Sequence, residues 1–253
     1  MRRAIMAGAI AALVVIGIGS SAQAATRPSG EIRVSAAASL TDVFPVIARA
    51  YEKRYPGTKV VFNFGGSSTL VSQVIGGAPV DVIATASEPT MWKAVNDGAV
   101  NRPVLFAKNT MTIALPPDNP ARIRSLADLA RPGVLVGVCD VAVPCGAAAR
   151  DVLQKAGVRV TPVTRELDVR ALLGKVMSGD LDAGIVYVTD VRAVGRKVAS
   201  VPIPASVNVT TTYPIASVVE ARNPIGARSF IDYVRDSQSA QGILRAYGFA
   251  RPW

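Results

Sequence analysis

Short β-rich runs alternate with helix-like patterns along most of the chain. The predicted strands lie at residues 32–36, 59–64, 80–85, 111–115, 134–138, 183–188 and 212–219. The predicted amphipathic helices lie at residues 42–55, 68–75, 89–97, 147–156, 169–177 and 224–247. This alternation is typical of βαβ units, so the sequence predicts an α/β fold built on mostly parallel sheets flanked by helices.

Two turn-rich segments, at residues 106–110 and 202–206, divide these elements into two sets. If both segments cross between lobes, residues 25–107 plus 211–253 form a first lobe and residues 108–210 a second. Two crossings imply a hinge, with a ligand cleft between the lobes. The alternative is that both segments are surface loops of one domain, and periodicity leaves that open.

The N-terminus carries the pattern of an export signal. Arg2 and Arg3 precede an apolar run at residues 4–18, and Ala22 and Ala24 occupy the small-residue positions of a cleavage site. We expect residues 1–24 to be a cleavable signal peptide and the mature protein to be periplasmic or otherwise extracytoplasmic. The alternative is a membrane anchor, but the run is shorter than the roughly 20 residues that span a bilayer.

Composition removes several classes of function. Half of the 253 residues are hydrophobic and 18% are charged, which favours a folded protein over a disordered one. The absence of histidine excludes Ser-His-Asp triads, Cys-His dyads and histidine metal sites. The formal net charge is +10, but the basic residues are scattered, so we expect no nucleic-acid partner. Asp180 and Asp182 lack the further oxygen ligands of a calcium loop.

Polar residues meet predicted helix starts at four strand-to-helix turns. Ser39 begins a Ser-x-x-Asp arrangement that ends at Asp42, and it is predicted to cap the helix at 42–55. The turns around Ser67, Cys145 and Val169 follow the same logic. A helix start presents free N–H groups and the positive end of the helix dipole, and ligands bind at the carboxyl ends of strands in such sheets. The four turns indicate an anion cleft, although a capping serine alone most often only caps.

Cys139 and Cys145 are the two cysteines of the chain. An oxidising compartment favours a disulfide between them, which would fix a local turn. The alternative is a redox-active pair, although the spacing is not that of a Cys-x-x-Cys motif.

In order and spacing, the chain resembles the periplasmic molybdate-binding proteins of bacterial ABC transporters, from about residue 32 to residue 249. The matching motifs are AAASLT at 36–41, FGGSSTL at 64–70, GAPVDV at 77–82, VPCG at 143–146, DVR at 168–170, GIVY at 184–187 and YGF at 247–249. The resemblance implies a two-lobed type II periplasmic-binding-protein fold with the oxyanion held between the lobes.

The same resemblance implies the ligand contacts and the partners. The expected contacts are the hydroxyls of Ser39, Ser67 and Tyr187 and the main-chain amides of Cys145 and Val169. The protein is then a monomeric solute-binding protein without cofactor or enzymatic activity. It captures molybdate, or the similar tungstate, and delivers it to an ABC-type permease.

Other functions stay open on the sequence alone. An oxyanion binder for sulfate or thiosulfate would have the same fold. An exported enzyme would use Cys139 and Cys145 as thiols, and a sensory or interaction lobe would bind without transport. Tyr187 could also be a core aromatic that never contacts a ligand.

Overall fold

A computed structural model describes residues 27–253 of the protein. The predicted signal peptide at residues 1–24 lies outside the described residues. Between residues 27 and 253, the helices are all too short or too polar to cross a membrane.

Strands and helices alternate along the described chain. The strands are β1 (Gly30–Ala37), β2 (Thr58–Gly65), β3 (Val82–Ala84), β4 (Val104–Leu115), β5 (Val136–Cys139), β6 (Thr164–Glu166), β7 (Ala183–Tyr187), β8 (Ala199–Pro202) and β9 (Thr210–Ser217). The α-helices are α1 (Phe44–Arg54), α2 (Ser67–Ile75), α3 (Glu88–Asn96), α4 (Pro144–Lys155), α5 (Val169–Met177), α6 (Val188–Val194), α7 (Pro224–Asp236) and α8 (Gln238–Ala246).

The strands join into a nine-stranded sheet in the order β2-β1-β3-β9-β4-β7-β5-β6, with β8 paired to β4. Strand β1 is parallel to β2 and β3, and β5 is parallel to β6 and β7. Strands β4 and β9 run antiparallel to their neighbours. The α/β prediction is therefore confirmed, with antiparallel pairing confined to the centre and to β8.

The long strand β4 joins two halves of this sheet. Its residues 104–110 pair with β9, and its residues 111–114 pair with β7. We call β2, β1, β3, β9 and residues 104–110 the first half-sheet. We call β7, β5, β6, β8 and residues 111–115 the second half-sheet. The molecule thus has one parallel βαβ region on each side of a shared antiparallel centre.

The core of the first half-sheet is aromatic. Helix α1 buries Phe44, Ile47, Ala48 and Tyr51, whose spacing places them on one helical face. The ring of Phe44 lies 5.6 Å from that of Phe106, between ring centroids. Burying each large apolar side chain contributes about 1.5–3 kcal/mol, so this face fixes α1 against the sheet.

The segment at residues 106–110 is strand, where the sequence pattern predicts a turn-rich loop. It pairs with β9 in a ladder that shifts register between Leu105 and Ala107. One crossing is therefore made by the continuous strand itself. The second predicted crossing, at residues 202–206, includes the end of β8 and the start of the connection to β9.

The long helix predicted at residues 224–247 is two helices. Helix α7 ends at Asp236 and α8 begins at Gln238, with Ser237 in an extended conformation between them. The Ser237 side chain accepts a hydrogen bond from the Ala240 N–H, as an N-cap does. Strands β6 and β8 and helix α6, which the pattern did not predict, are all short.

Candidate functional site

All five residues predicted to contact the ligand line one small cavity between the half-sheets. Ser39 follows β1, Ser67 starts α2, Cys145 and Val169 start α4 and α5, and Tyr187 ends β7. The cavity volume, counted as the space that the centre of a water molecule can occupy, is about 20 Å³. One water needs roughly 10–15 Å³ on this measure, so the cavity suits an ion or molecule of only a few heavy atoms.

Ser39 does not cap a helix, which corrects the sequence-based interpretation. It lies within a short 3-10 helix at Ala38–Leu40, and α1 begins at Phe44 without a side-chain cap. Its hydroxyl oxygen lies 2.9 Å from the hydroxyl oxygen of Tyr213. Ser39 is buried, so its remaining hydrogen-bonding capacity faces the cavity and not bulk water.

Ser67 is the first residue of α2 and is 2% exposed. Its hydroxyl oxygen accepts a hydrogen bond from the Ala86 N–H at 3.1 Å. That bond occupies a lone pair of the oxygen and leaves the hydroxyl hydrogen free to be donated. Ser67 is therefore set up as a donor toward the cavity.

The amides of Cys145 and Val169 stand in the first turns of α4 and α5. Pro144, which begins α4, has no N–H, and the amides of Arg170 and Ala171 donate to the Asp168 side chain. Among the described residues, neither the Cys145 N–H nor the Val169 N–H has an acceptor. Together with the helix dipoles, these amides favour a negative charge in the cavity.

Tyr187 contributes a buried hydroxyl that lacks a partner. The side chain is 1% exposed, and within residues 27–253 its hydroxyl forms no hydrogen bond. Burial raises the pKa of Tyr187 well above its ordinary value, so the group keeps its proton. Buried polar groups are nearly always hydrogen-bonded, so an unpaired hydroxyl lining a cavity calls for a ligand. The ring also packs edge-on against Tyr213, so the core role considered from the sequence is fulfilled as well.

Besides Tyr187, whose phenol keeps its proton, the described residues of the cavity wall include one ionisable side chain, Asp168, and no lysine or arginine. One carboxylate oxygen of Asp168 accepts from Arg170 N–H at 2.8 Å and from Ala171 N–H at 2.9 Å. Its charge is thus directed to the first turn of α5. In the described residues, no group of histidine, cysteine and acidic side chains forms a metal-cation site. The groups facing the cavity are neutral donors.

Cys139 and Cys145 form a disulfide, with 5.7 Å between their Cα atoms. The predicted pairing is confirmed, and neither sulfur is a free thiol. The bond ties the end of β5 to the first turn of α4. The next residue, Gly146, has to lack a side chain, because a Cβ there would overlap the carbonyl oxygen of Asp140.

Direct contacts close the cleft around the cavity. The Ser68 hydroxyl donates to the Ala142 carbonyl oxygen at 2.7 Å, and Arg170 pairs with Asp42 at 2.9 Å. A Cβ added at Gly66 would overlap the carbonyl oxygen of Leu167. Each contact joins a residue beside the first half-sheet to one beside the second.

Sequence reasoning missed the residues behind the cavity wall. Tyr213, on β9, contacts Ser39, and Asn109, on β4, contacts Tyr213. Both are buried. Neither belongs to a motif, and the signal that could have marked them is a polar residue within an otherwise buried strand.

Comparison with known proteins gives consistent matches over nearly the whole chain. The family model described as bacterial extracellular solute-binding protein matches residues 32–250. The molybdate-binding protein ModA of Mycobacterium tuberculosis is 40% identical over 247 residues, covering 96% of this chain and 94% of the relative. Among solved structures, the periplasmic molybdate-binding protein of Azotobacter vinelandii has a TM-score of 0.78 at 19% identity, covering 88% of this chain and 100% of that one. The sulfate-binding protein SubI of M. tuberculosis has a TM-score of 0.74 at 20% identity, covering 88% and 87%.

Proposed function

The chain belongs to the bacterial extracellular solute-binding proteins, and from that premise we propose that it captures molybdate and delivers it to the membrane permease of an ABC transporter. The observation that carries the proposal is the unpaired, buried hydroxyl of Tyr187 in a cavity that also receives Ser39, Ser67 and two helix starts. The likeness to the M. tuberculosis ModA protein supports molybdate as the anion.

The donor set fits a tetrahedral anion without protons. Such a dianion offers only acceptors, and neutral O–H and N–H groups satisfy them without a counter-charge. We propose hydroxyl contacts from Ser39, Ser67 and Tyr187, and amide contacts from Cys145 and Val169. Hydrogen phosphate would bind poorly, because its own proton needs an acceptor.

Cavity size decides between proton-free anions. Tungstate nearly equals molybdate in size, so we propose that it competes for the site. Sulfate is smaller and is the second candidate, which the fold shared with a sulfate-binding protein favours. A fold is common to many ligands, so the anion has to be measured.

Transport requires the site to open and close. We propose a first lobe of residues 25–107 plus 211–253 and a second of residues 108–210, which separate when the cleft contacts of Gly66, Ser68 and Arg170 break. The cleavable signal at residues 1–24 would export a monomer that acts as a binding protein and not as an enzyme. With both cysteines in a disulfide, the alternative of a thiol enzyme loses its nucleophile.

Isothermal titration of the mature protein with molybdate, tungstate, sulfate and phosphate tests the proposal. We expect tight one-to-one binding of molybdate and tungstate, weak binding of sulfate, and phosphate binding too weak to be seen by direct titration and measurable only by displacement of molybdate. Ser39→Ala and Ser67→Ala should each weaken molybdate binding by about 10- to 100-fold, since a hydrogen bond to a charged group contributes about 1.5–3 kcal/mol.

Ser35→Ala is the matched control for both substitutions. Ser35 is a buried serine of β1 whose hydroxyl has no partner within residues 27–253, and it does not line the cavity. Its replacement should leave affinity unchanged. If Ser39→Ala and Ser67→Ala both bind molybdate within a factor of about two of the Ser35→Ala protein, the proposed site is wrong.

A further inference from the structure

A buried chain of polar groups reaches Ser39 from the centre of the sheet. The hydroxyl oxygen of Tyr213 lies 2.9 Å from that of Ser39, and the side-chain nitrogen of Asn109 donates to the Tyr213 oxygen at 3.3 Å. The same nitrogen donates to the Thr189 hydroxyl oxygen at 2.7 Å. Tyr213, Asn109 and Thr189 are all buried, so the network lies away from bulk water.

The direction of the hydrogen bonds follows from Asn109. Its side-chain oxygen accepts from the Thr110 N–H at 3.0 Å, so the amide nitrogen is the end that faces Tyr213 and Thr189. Both hydrogens of that nitrogen are then used. Tyr213 is an acceptor toward Asn109, and its own hydrogen needs another acceptor.

Ser39 is that acceptor. If Ser39 donated to Tyr213 instead, the Tyr213 hydrogen would be left to the neighbouring Tyr187 hydroxyl, which forms no hydrogen bond of standard geometry within residues 27–253, at the cost of a poorly satisfied buried group. When Tyr213 donates to Ser39, the hydrogens of the Asn109 amide and of the Tyr213 hydroxyl are all used, and the Ser39 hydroxyl hydrogen is not. That hydrogen is left for the cavity.

We propose that Tyr213 is a positioning residue that holds Ser39 as a hydrogen-bond donor, so that the site rejects anions carrying a proton. The inference rests on the proposed oxyanion-binding function and adds a residue that does not contact the anion. Its consequence is that the site prefers sulfate to hydrogen phosphate because of the proton, and not because of a difference in size.

The second serine of the site supports this assignment. The Ala86 N–H donates to the Ser67 hydroxyl oxygen, as Tyr213 donates to that of Ser39. Each serine oxygen thus accepts a hydrogen bond from the protein and keeps its own hydrogen for the cavity. Burial is the main cause that raises the pKa of Tyr213 far above its ordinary value, and the phenol stays protonated. Tyr213 therefore remains a hydrogen-bond donor to Ser39 at neutral and mildly alkaline pH.

Tyr213→Phe removes the donor while keeping the ring. We would titrate the full mature protein with molybdate and measure its displacement by sulfate and by phosphate at mildly alkaline pH, where phosphate carries one proton. We expect molybdate and sulfate binding to weaken by about 5- to 10-fold, because Ser39 loses its fixed direction. Hydrogen phosphate should weaken less or gain, because a Ser39 lone pair becomes free to accept its proton.

A double-mutant cycle with Ser39→Ala tests whether Tyr213 acts through Ser39. In the Ser39→Ala background, Tyr213→Phe should change molybdate affinity by less than about twofold. Tyr51→Phe is the matched control, since Tyr51 is a buried tyrosine of α1 outside the cavity and the network. We expect it to leave the sulfate-to-phosphate preference unchanged.

Equal weakening of sulfate and hydrogen phosphate by Tyr213→Phe, or additive effects in the cycle, would overturn the inference while leaving the proposed function standing. Failure of the unmodified protein to bind any of these anions would overturn both. Asn109→Ala, which removes the donor to Tyr213, is the second variant if Tyr213→Phe does not fold. It should shift the preference toward phosphate, and an unchanged preference would also contradict the inference.

Discussion

At the scale of single residues, Gly66 allows the two halves of the molecule to approach more closely than any residue with a Cβ would permit. Its backbone, with φ −62° and ψ 130°, is open to any residue, so the restriction comes from the Leu167 carbonyl across the cleft. Glycine permits a backbone approach that a Cβ would block. The requirement belongs to the closed cleft and not to the fold of either half.

We expect Gly66→Ala to weaken molybdate binding by at least about tenfold, since the added methyl group opposes closure by more than about 1.4 kcal/mol. The thermal midpoint without anion should change little. Gly174→Ala is the control, because a Cβ there meets nothing within 4 Å and Gly174 does not line the cavity. Titration calorimetry of the two proteins decides the matter, and equal affinities would show that the Gly66 contact does not matter for binding.

At the scale of elements, the first turn of α4 combines the proposed anion contact of the Cys145 N–H with a disulfide bond. The disulfide from Cys139 to Cys145 closes a loop with a sequence separation of 6. The chain-entropy model gives such a loop about 2 kcal/mol of stabilisation. The expected ligand contact at Cys145 is its backbone N–H, which survives the loss of the sulfur bond.

Reduction should therefore lower the free energy of unfolding by about 2 kcal/mol and reduce anion affinity only modestly. Chemical denaturation with and without a thiol reductant measures the first effect, and titration measures the second. The protein carrying both Cys139→Ala and Cys145→Ala controls for other actions of the reductant, to which it should not respond. A wild-type protein whose unfolding is unchanged by complete reduction would contradict the expectation.

Elements with a strong local pattern were predictable, and those defined by distant partners were not. Helices α1, α2, α3 and α5 were located to within a few residues by their apolar spacing. The pattern predicts only residues 111–115 of β4 as strand. Its turn-like residues 106–110 are extended because they pair with β9, about a hundred residues away in sequence. Helices α7 and α8 were merged because both are amphipathic, and the break rests on one capping serine, Ser237.

At the scale of the whole molecule, the site exists only where the two half-sheets meet. Local turns mark Ser67, Cys145 and Val169 as helix starts, but their convergence depends on β4 running from the first half-sheet into the second. The turns indicate an anion cleft and the family resemblance implies which residues line it, but no local pattern encodes the distance between them. Tyr213 and Asn109 lie on β9 and β4 at the antiparallel centre of the sheet, where the spacing of polar residues does not distinguish a hinge from a core strand.

The stability of the whole molecule should depend on pH through Asp190, a buried residue of α6. Burial is the largest cause that raises its pKa, to about 7, while Arg170 opposes the rise and Asp42 and Asp168 add to it. One carboxyl oxygen accepts from the Tyr187 N–H at 3.0 Å, and the other has no partner in the described part of the chain.

Because the folded protein binds this proton more tightly than the unfolded chain, the contribution of Asp190 is fully present below the ordinary aspartate pKa of about 4 and is lost as pH rises toward about 7. Asp190→Asn keeps an acceptor for the Tyr187 N–H and cannot ionise. We expect its stability to exceed that of the wild type increasingly from about pH 5 to about pH 8. Denaturation curves across this range measure the difference, with Asp118→Asn, at an exposed position, as the control for loss of one charge. A constant difference between wild type and Asp190→Asn would mean that the buried carboxyl does not titrate in this range.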